Sequence, residues 1–269
     1  MKATNLLEKK LSPLNFLSAR VILISHLLTG IIKHQTVNLV KLANYFDTDA
    51  QVESNYKRIQ RFFKSYKIDF DKMACLIATW LPKNKWLLCL DRTNWKIGKT
   101  DVNILVLAVA YKGIAIPILW ELLDKKGNSN TDERIALIDR FIRLFGCEKI
   151  KCLTGDREFR GKEWLKYLVD KKVPFRLRVL NNTKVSNRWN TEKVSVTRLF
   201  PIKVNEKMCL RKPRQLWGST VYLGATRTKD GYVIIISNVY TTDILEDYAQ
   251  RWEIETLFGC LKTRGFDME

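Results

Sequence analysis

The stretch Trp86-Leu87-Leu88-Cys89-Leu90-Asp91 holds five apolar residues in a row and then a carboxylate. A continuous apolar run of that length is too short for a helix, so it reads as a strand buried on both faces and stopping at Asp91. Working outward, residues 102–111 and 114–123 read as two further strands joined by a Lys112-Gly113 turn. The polar loop 124–130 leads into a helix over 131–145, where Ile135, Ile138, Phe141, Ile142 and Phe145 share one face and Gly146 is the stop. Residues 149–154 form a fourth strand ending near a second acid, Asp156. A helix over 162–171 and a strand over 174–180 follow. The order β-β-β-α-β-α-β predicts an α/β fold, a mixed sheet flanked by helices.

The flanks differ in character. Residues 1–80 read as an N-terminal helical region. One apolar face runs through Phe16, Leu17, Val21, Ile24, Leu27, Leu28 and Ile31, and a second helix runs from Thr36 to Phe46. A turn at Asp47-Thr48-Asp49, with Thr48 and Gln51 at capping-box spacing, opens a third helix carrying Lys57, Arg58, Arg61 and Lys64. Two short helices joined by a tight turn, the second one basic, fit a helix-turn-helix; a solvated basic face on an ordinary bundle fits equally well. Residues 181–240 alternate short β-like pieces with polar turns, and 222–226, 229–231 and 232–237 form a hairpin signature. This segment reads as a β-rich insertion, because core-like character returns in 241–269.

The chain of 269 residues carries 47 Lys and Arg against 28 Asp and Glu, a net charge of +19, while 46% hydrophobic content supplies a real core. A folded polycation of this strength points to a polyanionic partner, nucleic acid first and an anionic membrane surface second. Six cysteines with no Cys-x-x-Cys pair, and only two histidines, give no zinc-ligand spacing. The thiols at Cys89 and Cys152 fall in apolar runs and read as free and buried, as in a reducing cytoplasm. The apolar stretch 21–32 is too short to span a bilayer, and no signal-peptide cleavage pattern is present, so a soluble, cytoplasmic protein is expected.

Asp91 and Asp156 both follow buried strands at the carboxyl edge, where open α/β sheets keep their sites. Either acid alone is an ordinary loop residue; as a pair they divide evenly between that reading and a site where a bound Mg²⁺ relieves their repulsion. From Asp243 to about Thr263 a largely apolar helix is expected. On it Tyr248, Arg251, Glu255 and Lys262 fall within a stripe about 60° wide at about 100° per residue. A phenol, a guanidinium, a carboxylate and an ammonium in one narrow line on a buried helix call for a wet cleft or a ligand.

The spacing Tyr248-x2-Arg251-x3-Glu255-x6-Lys262 is similar to the Tyr-Arg-Glu-Lys signature of bacterial insertion-sequence transposases of the "IS-four" family. Leu90-Asp91-Arg92-Thr93-Asn94-Trp95 and Gly155-Asp156-Arg157-Glu158-Phe159 resemble that family's two aspartate segments. The resemblance implies a ribonuclease-H-like catalytic core over 81–180, interrupted by the insertion at 181–240 and completed by the helix in 241–269, with residues 1–80 binding DNA. It implies a DDE triad of Asp91, Asp156 and Glu255 holding two Mg²⁺ ions, for which Mn²⁺ substitutes. Arg251, Lys262 and Tyr248 are then expected to grip DNA phosphates, and Arg157, Tyr232, Lys57, Arg58, Arg61 and Lys64 complete the expected DNA-binding set.

The implied activity is cut-and-paste transposition at terminal inverted repeats through a hairpin. Its implied partners are double-stranded DNA, both element ends and target, and a second copy of the chain assembled on that DNA at the nucleoid. Relatives stack a flipped base on an aromatic of the insertion. Tyr232, Trp189 and Trp217 are the candidates here, though ordinary packing is the first reading for each. Relatives also continue past the signature with further helices, whereas this sequence stops at Glu269, which reads either as a shortened product or as one whose remaining part is supplied elsewhere. A truncated DNA-binding remnant or inhibitor of transposition is the alternative.

Overall fold

The computed structural model describes residues 2–11, 14, 16–97, 99–186, 192–262 and 265. The chain divides into two compact units, one of residues 1–81, 96–100 and 257–269, the other of 82–95 and 101–256.

The first unit contains α1 (Lys2–Leu11), α2 (Ser18–His34), α3 (Leu39–Asn44), α4 (Val52–Ser65) and α5 (Phe70–Ala78). Its core joins Leu23 and Leu27 of α2 to Leu42 and Ala43 of α3 and Ile59 and Phe62 of α4, with Phe46 turned in from the connection. A second cluster places Val21 against Leu11, Leu14 and Leu76.

Three local expectations are corrected here. The second helix begins at Leu39 rather than Thr36, because Asn38 Oδ1 accepts the Val40 and Lys41 amides at 3.0 and 3.1 Å and so caps it. The Thr48–Gln51 capping box does not form. α4 starts after Gln51 with no side-chain cap, and Asn55 Nδ2 donates to Thr48 Oγ1 at 3.1 Å instead. The connection between α3 and α4 occupies residues 45–51, longer than the tight turn expected, since the chain must first bury Phe46.

The second unit holds the sheet: β1 (Trp86–Ile97), β2 (Thr100–Tyr111), β3 (Ile114–Leu123), α6 (Thr131–Phe145), β4 (Ile150–Gly155), α7 (Lys162–Asp170) and β5 (Phe175–Val179). After these come β6 (Lys184–Val185), β7 (Val194–Ser195), β8 (Lys207–Cys209), β9 (Arg214–Leu216), β10 (Ser219–Thr228), β11 (Gly231–Ser237), α8 (Ile244–Ala249) and α9 (Trp252–Lys262). The β-β-β-α-β-α-β order is present, in a mixed sheet with flanking helices. Among the described residues the strand order is β3-β2-β1-β4-β5-β11-β10-β8, with β9 on β10 and a separate β6–β7 pair. β1, β4 and β5 are parallel; β2–β3, β5–β11 and β10–β11 are antiparallel.

The structure adds two corrections in this unit. β1 does not stop at Asp91 but continues to Ile97 beside β2; what ends at Leu90 is its parallel ladder with β4, because β4 itself ends at Gly155. The single helix expected from Asp243 is broken. α8 ends at Ala249 and α9 begins at Trp252, and the joint is closed by the tighter i→i−3 bonds Arg251 N→Tyr248 O and Glu253 N→Gln250 O.

Residues of the 181–240 segment extend the main sheet, since Ile236 of β11 pairs with Leu177 of β5. The core runs through both faces of the inner strands: Leu88, Leu90, Leu105, Leu107, Leu153, Phe175 and Ile234 to Ile236 are fully buried. α6 contributes Phe141 and α7 contributes Trp164, each such side chain stabilising by about 1.5–3 kcal/mol on burial. α8 packs on Ile235 through Ile244, Leu245 and Tyr248. That approach is close enough that a Cβ at Gly224, the residue paired with Ile235, would collide with Ile244 Cγ2.

Candidate active site

The last register pair of the β1–β4 ladder is Leu90↔Gly155. Asp91 and Asp156 are each the next residue, and neighbouring strands lie about 4.8 Å apart, so the two backbones deliver their carboxylates side by side. Asp91 Oδ1 accepts the Arg92 amide at 2.7 Å, and Oδ2 lies 3.6 Å from Arg251 Nη1. Asp156 Oδ1 accepts the Tyr248 hydroxyl at 3.4 Å and lies 3.6 Å from Arg178 Nη1 of β5. Glu255 Oε1 is 2.8 Å from Arg251 Nη2. Arg251 therefore sits at the α8–α9 joint with one nitrogen on Asp91 and another on Glu255.

The electrostatics follow from burial. Burial pushes the Asp91 carboxyl up to about 6; the Arg92 amide and Arg251 oppose this, while Glu158 and Glu255 add to it. Burial alone would lower Arg251, yet Tyr248, Glu255 and Asp156 outweigh it and hold the guanidinium charged and above its ordinary range. The Tyr248 phenol is raised by burial and by Asp156. Arg251 is only 3% exposed, and its Nε has no hydrogen-bond partner. The guanidinium lies 4.9 Å from the Trp252 ring and 5.7 Å from that of Tyr248.

Supporting contacts fix this arrangement from below. Asp247, next to Tyr248 on α8 and buried, takes Lys151 Nζ of β4 at 2.7 Å and Arg176 Nη2 of β5 at 3.3 Å. Arg176 also donates to Ser237 Oγ at 2.8 Å, so β4, β5, β11 and α8 share one charge network, buried at Asp247 and Arg176 and open to solvent at Lys151. A fourth acid, Glu158, stands two residues after Asp156. Its carboxyl is raised by burial, with Arg92 and Arg134 pulling it back, and its Oε1 accepts no hydrogen bond. Arg92 lies 3.7 Å from it and donates to Asn94 and Asn103 at 2.7 and 3.2 Å.

Of the residues expected from the sequence, Asp91, Asp156, Tyr248, Arg251 and Glu255 meet in one chain of contacts. Lys262 is the last residue of α9. Arg157 is exposed in the turn after β4. Tyr232 is half-buried, its hydroxyl donating to Phe200 O at 3.1 Å and its ring 5.3 Å from the Arg227 guanidinium. Trp217 is partly exposed at φ +50°, and Trp189 lies outside the described residues. Lys57, Arg61 and Lys64 are exposed on α4, with Arg58 half-buried beside them. Glu158, Arg178 and the Asp247 network were missed. Glu158 alone had a local signal, its place two residues past Asp156; the others are brought in by strand pairing.

The donor chemistry suits a hard divalent cation: a buried carboxyl raised to about 6 is one short of positive charge. Among the described residues no three acid, Cys or His side chains stand close enough together to hold an ion as they lie. Arg251 provides the neutralising charge in this arrangement. All six cysteines are free, with Cys89 and Cys152 buried. No helix among the described residues is long and apolar enough to cross a membrane.

The site thus sets paired acids at the carboxyl edge of adjacent parallel strands beside a helix joint bearing an arginine and a third acid. A family model described as "Transposase DDE domain" matches residues 82–269, and the chain belongs to that family of transposase domains. Among solved structures, a piggyBac transposase synaptic complex with hairpin DNA is similar at 13% identity and a TM-score of 0.44, over 97% of this chain and 64% of that one. The chain thus spans less than two thirds of that protein's length. No curated protein matches it.

Proposed function

We propose that the chain is a DDE transposase of the bacterial "IS-four" kind, cutting and joining DNA at the terminal inverted repeats of an insertion sequence. The observation that carries this reading is the placement of Asp91 and Asp156 one residue past Leu90↔Gly155, with Arg251 linking Asp91 to Glu255. In this reading residues 81–180 and 241–269 form a ribonuclease-H-like core, 181–240 is its insertion, and 1–80 bind DNA. Asp91, Asp156 and Glu255 would hold two Mg²⁺ ions, with Mn²⁺ a substitute, and these would supply activation of the attacking oxygen and neutralisation of the leaving one.

The chain's own residues do the rest. Arg251 and Lys262 grip phosphates flanking the cut, Arg in forked fashion and Lys as a point charge. Tyr248 holds Asp156 in place through its hydroxyl and walls the site from water. Serial nicking, hairpin closure, hairpin opening and strand transfer by one site require the DNA end to stay gripped between steps. A second copy of the chain would hold the other element end.

The test is incubation of the purified chain with a labelled terminal repeat and Mg²⁺, scored for nicked, hairpin and strand-transfer products. Asp91→Asn, Asp156→Asn and Glu255→Gln should each abolish all three products. Cleavage retained by a folded variant overturns the triad; binding without any cleavage by the unaltered chain replaces catalysis with a DNA-binding remnant.

A further inference from the structure

The family match begins at residue 82, and the catalytic reading gives α2 no role. Yet α2 and α4 enclose a cleft of about 450 Å³ lined by Arg20 and Leu23 from the first helix and Arg58, Arg61 and Phe62 from the second, with Tyr66 at its end. Residues 58, 61, 62 and 65 recur at i, i+3, i+4 and i+7, so both α4 arginines share the face that looks toward α2. Arg20 sits over an aromatic pair, its guanidinium 4.4 Å from the centre of the Tyr66 ring, which in turn stacks on Phe62 at 5.2 Å. Arg61 Nε donates to Lys57 O at 3.3 Å, which orients its fork and leaves the terminal nitrogens available.

No acidic side chain lines the cleft, and among the described residues no carboxylate pairs with any of its three arginines. Three guanidiniums around one small cleft repel one another unless an anion joins them. A tetrahedral anion with several acceptor oxygens matches arginine forks better than a carboxylate or chloride does.

We propose that the α2–α4 cleft binds a DNA backbone phosphate and acts as a sequence-independent clamp. This rests on the reading that the chain acts on DNA, and it gives Arg58 and Arg61 a different task from reading base edges. A phosphate contact fixes register and orientation without carrying sequence information.

The test is fluorescence anisotropy of the full chain on two labelled duplexes of unrelated sequence, over a range of KCl concentrations in EDTA, with folding followed by circular dichroism. Arg20→Gln should weaken binding equally on both duplexes and reduce the slope of log K against log[KCl] by about 0.9, the loss of one phosphate contact. Arg20→Lys should largely keep the slope. Where Arg20→Gln fails to fold, Arg58→Gln carries the same readout, since it leaves the Tyr66 stack untouched. A folded variant with an unchanged slope, or a loss confined to one sequence, overturns the proposal. Because no metal is present, the outcome is independent of cleavage: failure here leaves the catalytic reading standing, and failure of cleavage leaves the clamp standing.

Discussion

Arg251 faces Asp91 at 3.6 Å from a different element, and the same guanidinium reaches Glu255 at 2.8 Å. A single buried cation therefore neutralises oxygens that a divalent ion would also need. On the proposed function the two would compete, and removing the arginine tests this.

Arg251→Gln should destabilise the metal-free protein by about 2–4 kcal/mol, below the fully buried range because Glu255 is open to water on one side. Adding Mg²⁺ should then raise the melting temperature of the variant more than that of the unaltered chain. Equal Mg²⁺ shifts, read by differential scanning fluorimetry, would show that the arginine and the ion do not share these oxygens.

Asp91→Asn should act in the opposite direction. The native carboxyl holds its proton up to about pH 6 while the unfolded one releases it near its ordinary value of 3.8. Between those values the native state binds more protons, so stability falls as pH rises, and the cost is fully present above about pH 6. The amide carries no such cost. In EDTA the variant should be more stable by on the order of 1–3 kcal/mol at pH 7.5, with the gap closing toward pH 4. Urea melts across that range would refute this by showing a constant gap.

Asp247→Ala would leave Arg176, buried in the sheet, without its carboxylate. A loss of about 3–5 kcal/mol is expected for an orphaned buried charge. Asp247→Asn should lose less, because the amide oxygen still accepts hydrogen bonds. Chemical denaturation of the two variants provides the comparison, and a ranking in which Asn is worse than Ala would contradict the network.

Gly224→Ala should cost about 1–3 kcal/mol, since the new methyl group drives Ile244 and α8 off the sheet. Pairing it with Ile244→Ala, which removes the clashing branch, should recover part of the loss in a double-mutant cycle. Additive losses would place the strain elsewhere.

The alternation of apolar runs and amphipathic helices from Trp86 to Val179 was legible because each run is short, uninterrupted and punctuated by Gly or by polar loops. Thr131–Phe145 was bounded on both sides, by Asn130 and by Gly146, and both serve as caps. The two aspartates were legible as strand-end acids, although Asp91 proved to lie inside a longer strand that only β4's shortness makes look finished.

The region around Arg251 was harder to read. An angular calculation assumes one continuous helix, and nothing in Ala249-Gln250-Arg251-Trp252 is a helix breaker, so the joint and the exposure of Trp252 could not be read locally. Arg178, Arg176 and Lys151 approach the site only because β4 and β5 pair in a particular register. Tyr232 shows the same limit: its place before an apolar strand was visible, but its bond to the Phe200 carbonyl was not.

Cys89 lies two residues before Asp91, is fully buried, and has its thiol pushed up to about 12 by burial. Its Sγ–H points at the Gln250 carbonyl, 3.7 Å away at the α8–α9 joint. At pH 8 about one molecule in ten thousand would carry the thiolate even if reagent could reach it. Cys152 of β4, paired with Leu87 in the same ladder, is equally shielded and also raised to about 12, whereas Cys75 on α5 is exposed. The chain thus contains its own opening clock. Alkylation of Cys75 times the encounter with reagent, and alkylation of Cys89 and Cys152 times only those moments when the strands beneath the aspartates come apart.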